Sequence, residues 1–226
     1  MQMSQSRKVE DYYNFLSQHY DGATKGKFEW SPPKEAENLV ISKVNKHSSV
    51  LDVGIGTGQS VEYLASLGCK VCGLDISEKM IEVTRSKFPQ FDLFKADLNG
   101  DLPMLSGKTF DLVLAIGVLE FVNTFSSVVE RLLLLLKEKG YFCFTFEELV
   151  VGHELQSERQ SHSGTGKIEG VSLEFFHHRH LKSEIDSLLF QNGFNIIEEK
   201  RFQAYLKTAA MIPVYYWIVL AQKRHP

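Results

Sequence analysis

The sequence predicts an α/β fold, a doubly wound and mainly parallel sheet of seven strands with helices on both faces and an antiparallel last strand. Between Ser49 and Phe146, short apolar segments alternate with segments of helical spacing, which is typical of parallel strands joined by crossover helices. A glycine-rich turn at 54–58 follows the first apolar segment. The last two apolar segments, 194–202 and 214–222, have no helix between them, so we expect them to pair antiparallel.

A helical cap is expected over residues 1–47, before the first strand. Apolar residues recur with helical spacing from Arg7 to Tyr20, and the segment DGATKG then interrupts the pattern. A second helix is expected after Ser31, because a capping residue followed by two prolines favours a helix start. The cap therefore contains two predicted helices.

Residues 48–148 form the predicted core of the sheet, in which strands and helices alternate. The strands are expected at 49–53, 70–74, 91–95, 110–116 and 140–146, and the helices at 59–67, 78–87 and 125–137. Residues 149–180 are polar and contain several glycines, which predicts a variable loop or lid. Residues 181–226 predict a closing helix at 181–191 and the two antiparallel strands. The 226 residues, 43% of them apolar, suffice for one such domain.

Composition excludes several classes of partner. The formal net charge is only −3 and the basic residues are dispersed, which disfavours binding to nucleic acid. No apolar stretch reaches the roughly 20 residues that cross a bilayer, and the first residues lack the apolar core of a secretory signal. Three cysteines form an odd, sparse set, and Cys69 and Cys72 have no second pair to complete a zinc site. We therefore expect a cytoplasmic protein without a metal and without a membrane partner.

The glycine-rich turn is the strongest indication of a ligand. Gly54, Gly56 and Gly58 follow a buried strand and open a helix, where side chains would block the approach of a ligand to backbone amides. Tight packing of the helix is the alternative explanation, and a glycine pattern alone does not exclude it. Asp75 ends the second strand, 17 residues after Gly58, where a carboxylate can accept both hydroxyls of a ribose.

Two classes of cofactor share this arrangement. A dinucleotide site needs glycine at the position of Gln59, and the pyrophosphate would be repelled by Asp52 just before the turn. An acidic residue at that point suits a cofactor whose tail carries an ammonium group. A nicotinamide-dependent oxidoreductase is therefore the weaker alternative.

Four segments together resemble the class I S-adenosylmethionine-dependent methyltransferases of the small-molecule type: LDVGIGTG, GLDISEKMI, KADL and FDLVLAIGVLEFV, in the family's order and spacing. The resemblance covers 51–148, and the segment HLKSEIDSLLFQNGFNIIEE is similar to the family's closing helix and sixth strand. It implies a Rossmann-like fold and an enzyme that transfers a methyl group from S-adenosylmethionine to a small-molecule acceptor. A relative that binds the cofactor without catalysis stays open as an alternative.

The resemblance also implies a role for particular residues. The three glycines would pass beneath the methionine part of the cofactor, whose ammonium group Asp52 and the carbonyl of Ile116 would hold. Asp75 would bind the ribose. The adenine would lie among Ile76, Met80, Asp97 and the backbone amide of Leu98, and Tyr20 and Trp30 lie where such enzymes often fold an N-terminal helix over the cofactor. Core packing of Ile76 and Met80, a turn cap at Asp97 and packing anchors at Tyr20 and Trp30 are the alternatives.

A catalytic base is not strictly required, because the sulfonium already activates the methyl group and alignment supplies much of the rate. A hydroxyl or protonated amine acceptor would nevertheless benefit from one. The candidates are Glu120, after the fourth strand, and a histidine of the segment HHRH, which contains His177, His178 and His180. Many small-molecule relatives carry a histidine after the fourth strand, where this chain has Phe121, so the base is left open.

Overall fold

A computed structural model describes residues 3–27, 30–163, 167–168, 171–172, 174–207 and 211–224. Seven strands form the main sheet, and four short ones lie in the segment after the fifth strand. In chain order the strands are β1 (Ser49–Val53), β2 (Lys70–Asp75), β3 (Asp92–Lys95), β4 (Phe110–Ala115), β5 (Leu136–Glu147), β6 (Gln160–Ser163), β7 (Lys167–Ile168), β8 (Val171–Ser172), β9 (Phe175–His178), β10 (Phe194–Lys207) and β11 (Ile212–Lys223).

The main sheet has the order β10-β11-β5-β4-β1-β2-β3. The strands from β1 to β5 pair parallel, whereas β11 runs antiparallel to both of its neighbours, β5 and β10. This confirms the predicted fold class, including the antiparallel last strand. The strand order reverses between β1 and β4, which opens a crevice at the carboxyl ends of the strands, where such sheets bind ligands.

The helices flank this sheet and also cover its carboxyl edge. They are α1 (Gln5–Leu16), α2 (Tyr20–Gly22), α3 (Pro32–Val40), α4 (Glu62–Leu67), α5 (Glu78–Lys87), α6 (Phe125–Leu133) and α7 (Lys182–Gln191). Helix α2 continues into a π-helical turn at Ala23–Lys27, and short 3₁₀ turns lie at Gln59–Val61, Pro103–Leu105 and Leu119–Phe121. Ser77 caps α5 by accepting a hydrogen bond from the amide of Met80, which fixes the start of α5 beside the end of β2.

Apolar side chains bury both faces of the sheet. On one face, Phe142 and Phe144 pack with residues of α6 and α7, such as Leu132 and Leu189. On the other face, Leu114 packs in a second cluster with residues of α3 and α4. Full burial of one such side chain contributes about 1.5–3 kcal/mol, so the two clusters hold the strands rigidly and fix the positions of the loops at their carboxyl ends.

The predicted helix over 125–137 is too long, because α6 ends at Leu133 and β5 already begins at Leu136. The run of leucines continues the helical pattern, yet Leu134 is 79% exposed and Leu136 pairs with Phe110 of β4. Pairing with the sheet therefore prevails over the helical propensity of the leucines, which is a weak preference that tertiary contacts override.

The predicted loop or lid at 149–180 contains four short strands among its described residues. Strand β6 pairs antiparallel with β9, and β7 pairs with β8. The side chain of Gln156 donates to the carbonyls of Glu148 and Tyr215 at 3.0 and 2.8 Å and ties the segment to the start of β11. Glycines 164, 166 and 170, which contributed to the prediction, lie outside the described residues.

Within the described ranges, no helix has both the length and the apolar character needed to cross a bilayer.

Candidate functional site

A cavity opens at the carboxyl edge of the sheet, between the loops that follow β1, β2, β3 and β4. Nine of the twelve cofactor-binding residues expected from the sequence line it: Tyr20, Gly54, Gly56, Asp75, Ile76, Met80, Asp97, Leu98 and Ile116. The other three, Trp30, Asp52 and Gly58, do not line it.

The three glycines of the turn have different physical reasons for being glycine. A Cβ on Gly54 would approach Val118 to 2.5 Å, and a Cβ on Gly58 would approach Phe88 to 2.8 Å, so these two positions need glycine for packing. Gly56 has a φ of +54°, and among the described residues a Cβ there would contact only the carbonyl oxygen of Gly54, at 4.0 Å. Tight packing therefore explains Gly54 and Gly58, while Gly56 leaves the backbone accessible on the cavity side.

Asp75 connects the turn to the end of β2. Its Oδ2 accepts a hydrogen bond from the amide of Gly56 at 2.9 Å, and its Oδ1 accepts one from the amide of Ser77 at 2.8 Å. Burial raises the pKa of Asp75 to about 6 despite these two donors. Each carboxylate oxygen can accept more than one hydrogen bond, so Asp75 can receive two adjacent hydroxyls from the cavity side.

Asp52 lies beneath the turn, fully buried in the middle of the sheet. Its Oδ2 accepts a hydrogen bond from Ser60 at 2.6 Å, whereas its Oδ1 has no hydrogen-bond partner among the residues that the structure describes. Burial raises the pKa of Asp52 to about 7, and nearby Asp75 adds to the effect. A buried carboxylate that lacks a partner is costly, and it suits a cationic group held close by through neighbouring atoms or water.

The opposite end of the cavity lies at the ends of β2 and β3. The Oδ1 of Asp97 accepts hydrogen bonds from the amide of Asn99 at 2.9 Å and from its side chain at 3.0 Å. Asp97 is therefore a turn cap, the alternative considered from the sequence, and it lines the cavity at the same time. Met80 is 1% exposed and belongs to both the core and the cavity wall. Ile76 and Leu98 complete this apolar end.

Helices α1 and α2 cover the cavity, and polar contacts hold them in place. Asn14 accepts a hydrogen bond from the hydroxyl of Ser77 at 2.7 Å. Asp21 accepts from the hydroxyl of Thr57 at 2.5 Å and from the side chain of Gln59 at 2.8 Å, and forms an ion pair with Lys87. Thr57 and Gln59 belong to the glycine turn and its continuation, and Lys87 belongs to α5. These contacts therefore connect the cap directly to the loop that it covers.

Neither Asn14 nor Asp21 was identified from the sequence. Asp21 belongs to the segment DGATKG, whose composition indicates only the end of a helix. Its partners Gln59 and Lys87 lie 38 and 66 residues further along the chain, and no local pattern relates residues at that distance. Tyr13, another cavity residue, belongs to the apolar stripe of α1 that the periodicity did indicate.

Trp30 lies beside the cavity, against the end of β4. A Cβ on Gly117 would approach its ring to 2.6 Å, and its ring centroid lies 5.6 Å from that of Tyr216 in an edge-on contact. These contacts are those of a residue that packs against the end of a strand. This is the alternative considered for Trp30 from the sequence. The glycine at 117 makes room for the ring.

Glu120 follows β4 and Glu147 lies at the end of β5, and the surroundings of these two glutamates differ. Glu147 forms ion pairs with Arg179 and His177 and accepts a hydrogen bond from the Tyr216 hydroxyl at 3.2 Å. Burial acts to raise the pKa of Glu147, but the contacts with His177 and Arg179 lower it below its ordinary value. Glu120, in the turn Leu119–Phe121, is 1% exposed, and burial raises its pKa to about 7.

His178, one of the three histidines considered from the sequence, lies on β9 and does not line the cavity. Burial lowers its pKa, and the neighbouring His177 adds to this shift. The adjacent His177 points to the opposite side of the strand and contacts Glu147 and the ring of Phe121. The alternation of side chains along a strand thus brings His177, and not His178, to the glutamates.

Cys69, Cys72 and Cys143 are all buried and form no disulfide. The described part of the chain contains no group of three His, Cys, Asp or Glu side chains arranged to hold a metal ion.

Comparison with known proteins gives the following matches. Residues 51–144 match the methyltransferase domain family. The demethylmenaquinone methyltransferase of Tropheryma whipplei (strain Twist) is 40% identical over 81 residues, which are 35% of this chain and 34% of that protein. The 18S rRNA (guanine-N(7))-methyltransferase of Bos taurus is 33% identical over 87 residues, 38% of this chain and 31% of that protein. The chain thus matches about a third of the length of these curated relatives.

Among solved structures, the magnesium protoporphyrin IX methyltransferase of Synechocystis PCC 6803 with bound S-adenosylhomocysteine superimposes with a TM-score of 0.71. The superposition covers 97% of this chain and all of the other, at 20% sequence identity. The likeness therefore extends over the whole fold, including the cap and the antiparallel strands that lie outside residues 51–144.

Proposed function

We propose that this chain is a class I S-adenosylmethionine-dependent methyltransferase, which transfers a methyl group from S-adenosylmethionine to a small-molecule acceptor. The observation that carries the proposal is the placement of two carboxylates around one turn, Asp75 in the cavity wall and Asp52 buried beneath the turn. Asp75 faces the cavity with capacity for two hydroxyls, and Asp52 lies beneath the turn with one oxygen that has no partner among the described residues. A ribose and an ammonium group are the complements of these two carboxylates.

The residues around the cavity fit this cofactor from end to end. Asp75 would accept the ribose hydroxyls, and the apolar end formed by Ile76, Met80 and Leu98 would hold the adenine beside Asp97. The open backbone at Gly56 would pass beneath the methionine part, with Asp52 and the carbonyl of Ile116 toward the ammonium group. The cofactor supplies an electrophilic methyl group on a positively charged sulfur. The protein's part is to hold that group and the acceptor in line and to exclude water.

The same features oppose a nicotinamide dinucleotide. A pyrophosphate against this turn would meet the buried carboxylate of Asp52. The side chain of Gln59 stands where the dinucleotide fingerprint requires glycine, and it is engaged by Asp21 and by the hydroxyl of Thr24. The turn is therefore built for a ligand with a positive tail.

A small molecule is proposed as the acceptor, with a ribosomal RNA as the alternative that one of the matched relatives raises. The formal net charge of −3 does not favour binding to a phosphate backbone. The cavity is also covered by α1 and α2, which leaves little room for a folded RNA.

We place the protein in the cytoplasm because all three cysteines are buried and unpaired. Fractionation of cells with a specific antibody checks this location.

Incubation of the protein with methyl-labelled S-adenosylmethionine and fractions of a cell extract tests the proposal. Label is expected in a fraction of small metabolites. Label in the RNA fraction would replace the small-molecule acceptor with RNA, and tight cofactor binding without label in any fraction would mean a binding module. Asp75→Ala should abolish the transfer, whereas Asp101→Ala, the same change at an exposed position that makes no contact with the cavity, should leave it unchanged.

A further inference from the structure

Glu120 is a buried carboxyl group for which the fold offers no matching donor. Neither of its carboxylate oxygens has a hydrogen-bond partner of normal geometry in the ranges that the structure describes. The Tyr216 hydroxyl lies close enough to favour the charged form, but its hydrogen bond goes to Glu147. Buried polar groups nearly always have a partner, so an exception of this kind needs an explanation.

The position of Glu120 joins two parts of the molecule. On one side, its turn is flanked by Gly117, Val118, Phe121 and Val122, all of which line the cofactor cavity. On the other side, the turn packs against β9, where the ring of His177 lies 5.4 Å from that of Phe121. Glu120 therefore lies between the cavity and the elements that follow β5.

A second, polar cleft lies on that other side, at the same edge of the sheet. Its lining includes Glu147, Glu158, His177, Arg179, Tyr205 and Lys207, from the ends of β5 and β10 and from the segment between β5 and α7. Side chains of both charges line it, which suits a polar molecule and not a hydrocarbon.

The ionisable groups around Glu120 come from both spaces. Tyr13 and Tyr20 belong to the lining of the cofactor cavity, while Glu147, His177 and Tyr205 belong to the polar cleft, and Tyr216 lies between them. Glu120 itself lines neither space and lies buried in the wall between them.

The surroundings of Glu120 also differ from those of Glu147. The difference is the one expected between a carboxyl group that exchanges a proton and one that has a structural role. The contacts of Glu147 with His177 and Arg179 lower its pKa and favour its ionised form. Glu120 has no cation bonded to it among the described residues, so it can alternate between the protonated and the ionised form. Two nearby carboxyl groups with such opposite environments are typical of sites that move a proton.

We propose that Glu120 is the catalytic base that takes the proton of the methyl acceptor, and therefore that the acceptor atom is the oxygen of a hydroxyl or the nitrogen of an amine in a polar small molecule. This inference rests on the proposed function. The lone pair of the acceptor atom forms a bond to the methyl carbon, and the bond between that carbon and sulfur breaks with its electrons remaining on sulfur. The O–H or N–H bond of the acceptor then gives its electrons to the acceptor atom, and its proton passes to a carboxylate oxygen of Glu120.

The experiment compares the wild type with Glu120→Gln, which has nearly the same shape and cannot accept the proton. Glu130→Gln, the same change at an exposed position on α6, is the matched control. The rate of label transfer from methyl-labelled S-adenosylmethionine is measured between pH 6 and pH 9 with the extract fraction that the wild type labels. Isothermal titration with S-adenosylmethionine and thermal unfolding are measured for the same proteins.

Glu120→Gln should transfer the methyl group about 100-fold more slowly or worse, as expected for loss of a general base. The wild-type rate should rise with pH through about 7, and this rise should be absent in Glu120→Gln. Its affinity for S-adenosylmethionine should stay within about twofold of the wild type, because Glu120 does not line the cofactor cavity. Glu120→Asp, which keeps a carboxylate on a shorter side chain, should retain the rise with pH.

Transfer by Glu120→Gln at the wild-type rate with an unchanged pH profile overturns the inference. So does a loss of cofactor affinity that matches the loss of rate, since Glu120 would then act on the cofactor pocket or on folding. Failure of Glu120→Asp to retain the pH-dependent rise also counts against a carboxylate base. If the wild type labels no fraction at all, the proposed function itself fails, and the inference falls with it.

Discussion

Replacing Glu120 by glutamine should stabilise the protein in a manner that depends on pH. Burial raises the pKa of Glu120 from its ordinary value of 4.5 to about 7. Between these values the folded protein keeps a proton that the unfolded chain has lost, so unfolding releases a proton. The folded state therefore loses stability as the pH rises from about 4.5 to about 7, and the penalty is fully present at pH 8. Glutamine does not ionise and has no such penalty.

The size of the effect follows from the two pKa values. The two pKa values differ by about 2.5, and each unit of difference corresponds to about 1.4 kcal/mol, so the full penalty approaches about 3.5 kcal/mol above the higher pKa. At pH 5 most of this penalty has disappeared, because the group is protonated in the folded state and partly protonated in the unfolded state. The gain in stability from Glu120→Gln should therefore be about 2 kcal/mol larger at pH 8 than at pH 5. Comparing the two pH values cancels the cost of burying the new amide.

Urea unfolding of wild type, Glu120→Gln and Glu130→Gln at pH 5 and pH 8 measures this difference directly. The control, exposed on α6, should show no pH-dependent change relative to the wild type. A difference between the two pH values below about 0.5 kcal/mol for Glu120→Gln would show that Glu120 is ionised at neutral pH, as an exposed glutamate is.

Two further substitutions test the cofactor turn and its cover. Gly54→Ala should destabilise the protein by about 2–4 kcal/mol in thermal or urea unfolding, because it adds a steric clash to an unfavourable φ of +72°. Gly107→Ala, at the same φ but with nothing in the described chain within 4 Å, should have a clearly smaller effect, and equal effects would exclude the clash. Asp21→Ala should weaken S-adenosylmethionine binding about tenfold in a calorimetric titration, because Thr57 and Lys87 lose the partner that holds the cap on the turn. Unchanged affinity would mean that the cap contributes nothing to the site.

Much of the sheet and of the cofactor cavity could be predicted because their signals are local. The strand Ser49–Val53 and the helix Glu78–Lys87 have the bounds that their patterns indicate, since each is delimited by turn or capping residues. Gly56 and Asp75 lie where they do because parallel strands bring their carboxyl ends to one edge. A short pattern of glycine and acidic residues is enough to indicate that arrangement.

The remaining features depend on contacts between distant parts of the chain. Leu136 joins β5 only because Phe110 offers a neighbouring strand, so the helical pattern of the leucines misplaces the end of α6. The cover of the cavity depends on Asp21 meeting side chains of the glycine turn and α5. Glu147 and Arg179 form an ion pair although 32 residues separate them in the sequence. The segment between them contains the strand pair β6 and β9, which the sequence pattern did not predict.

The surroundings of Glu120, the proposed base, were therefore the least predictable part of the site. Glu120 could be named from the sequence as a carboxylate after β4, but its burial could not. Its lack of a partner and its place between two cavities appear only when α1, β9 and β11 close around it. The identity of a base thus depends on the packing of elements that carry no motif.

Isothermal titration calorimetry of the wild-type protein with S-adenosylmethionine tests the cofactor assignment most directly. One molecule should bind per chain. Asp75→Ala should weaken binding about 100-fold through the loss of two charge-assisted hydrogen bonds, while Asp101→Ala should bind as the wild type does. Absence of binding, or equal affinity in the wild type and Asp75→Ala, would contradict the assignment of this cavity to S-adenosylmethionine.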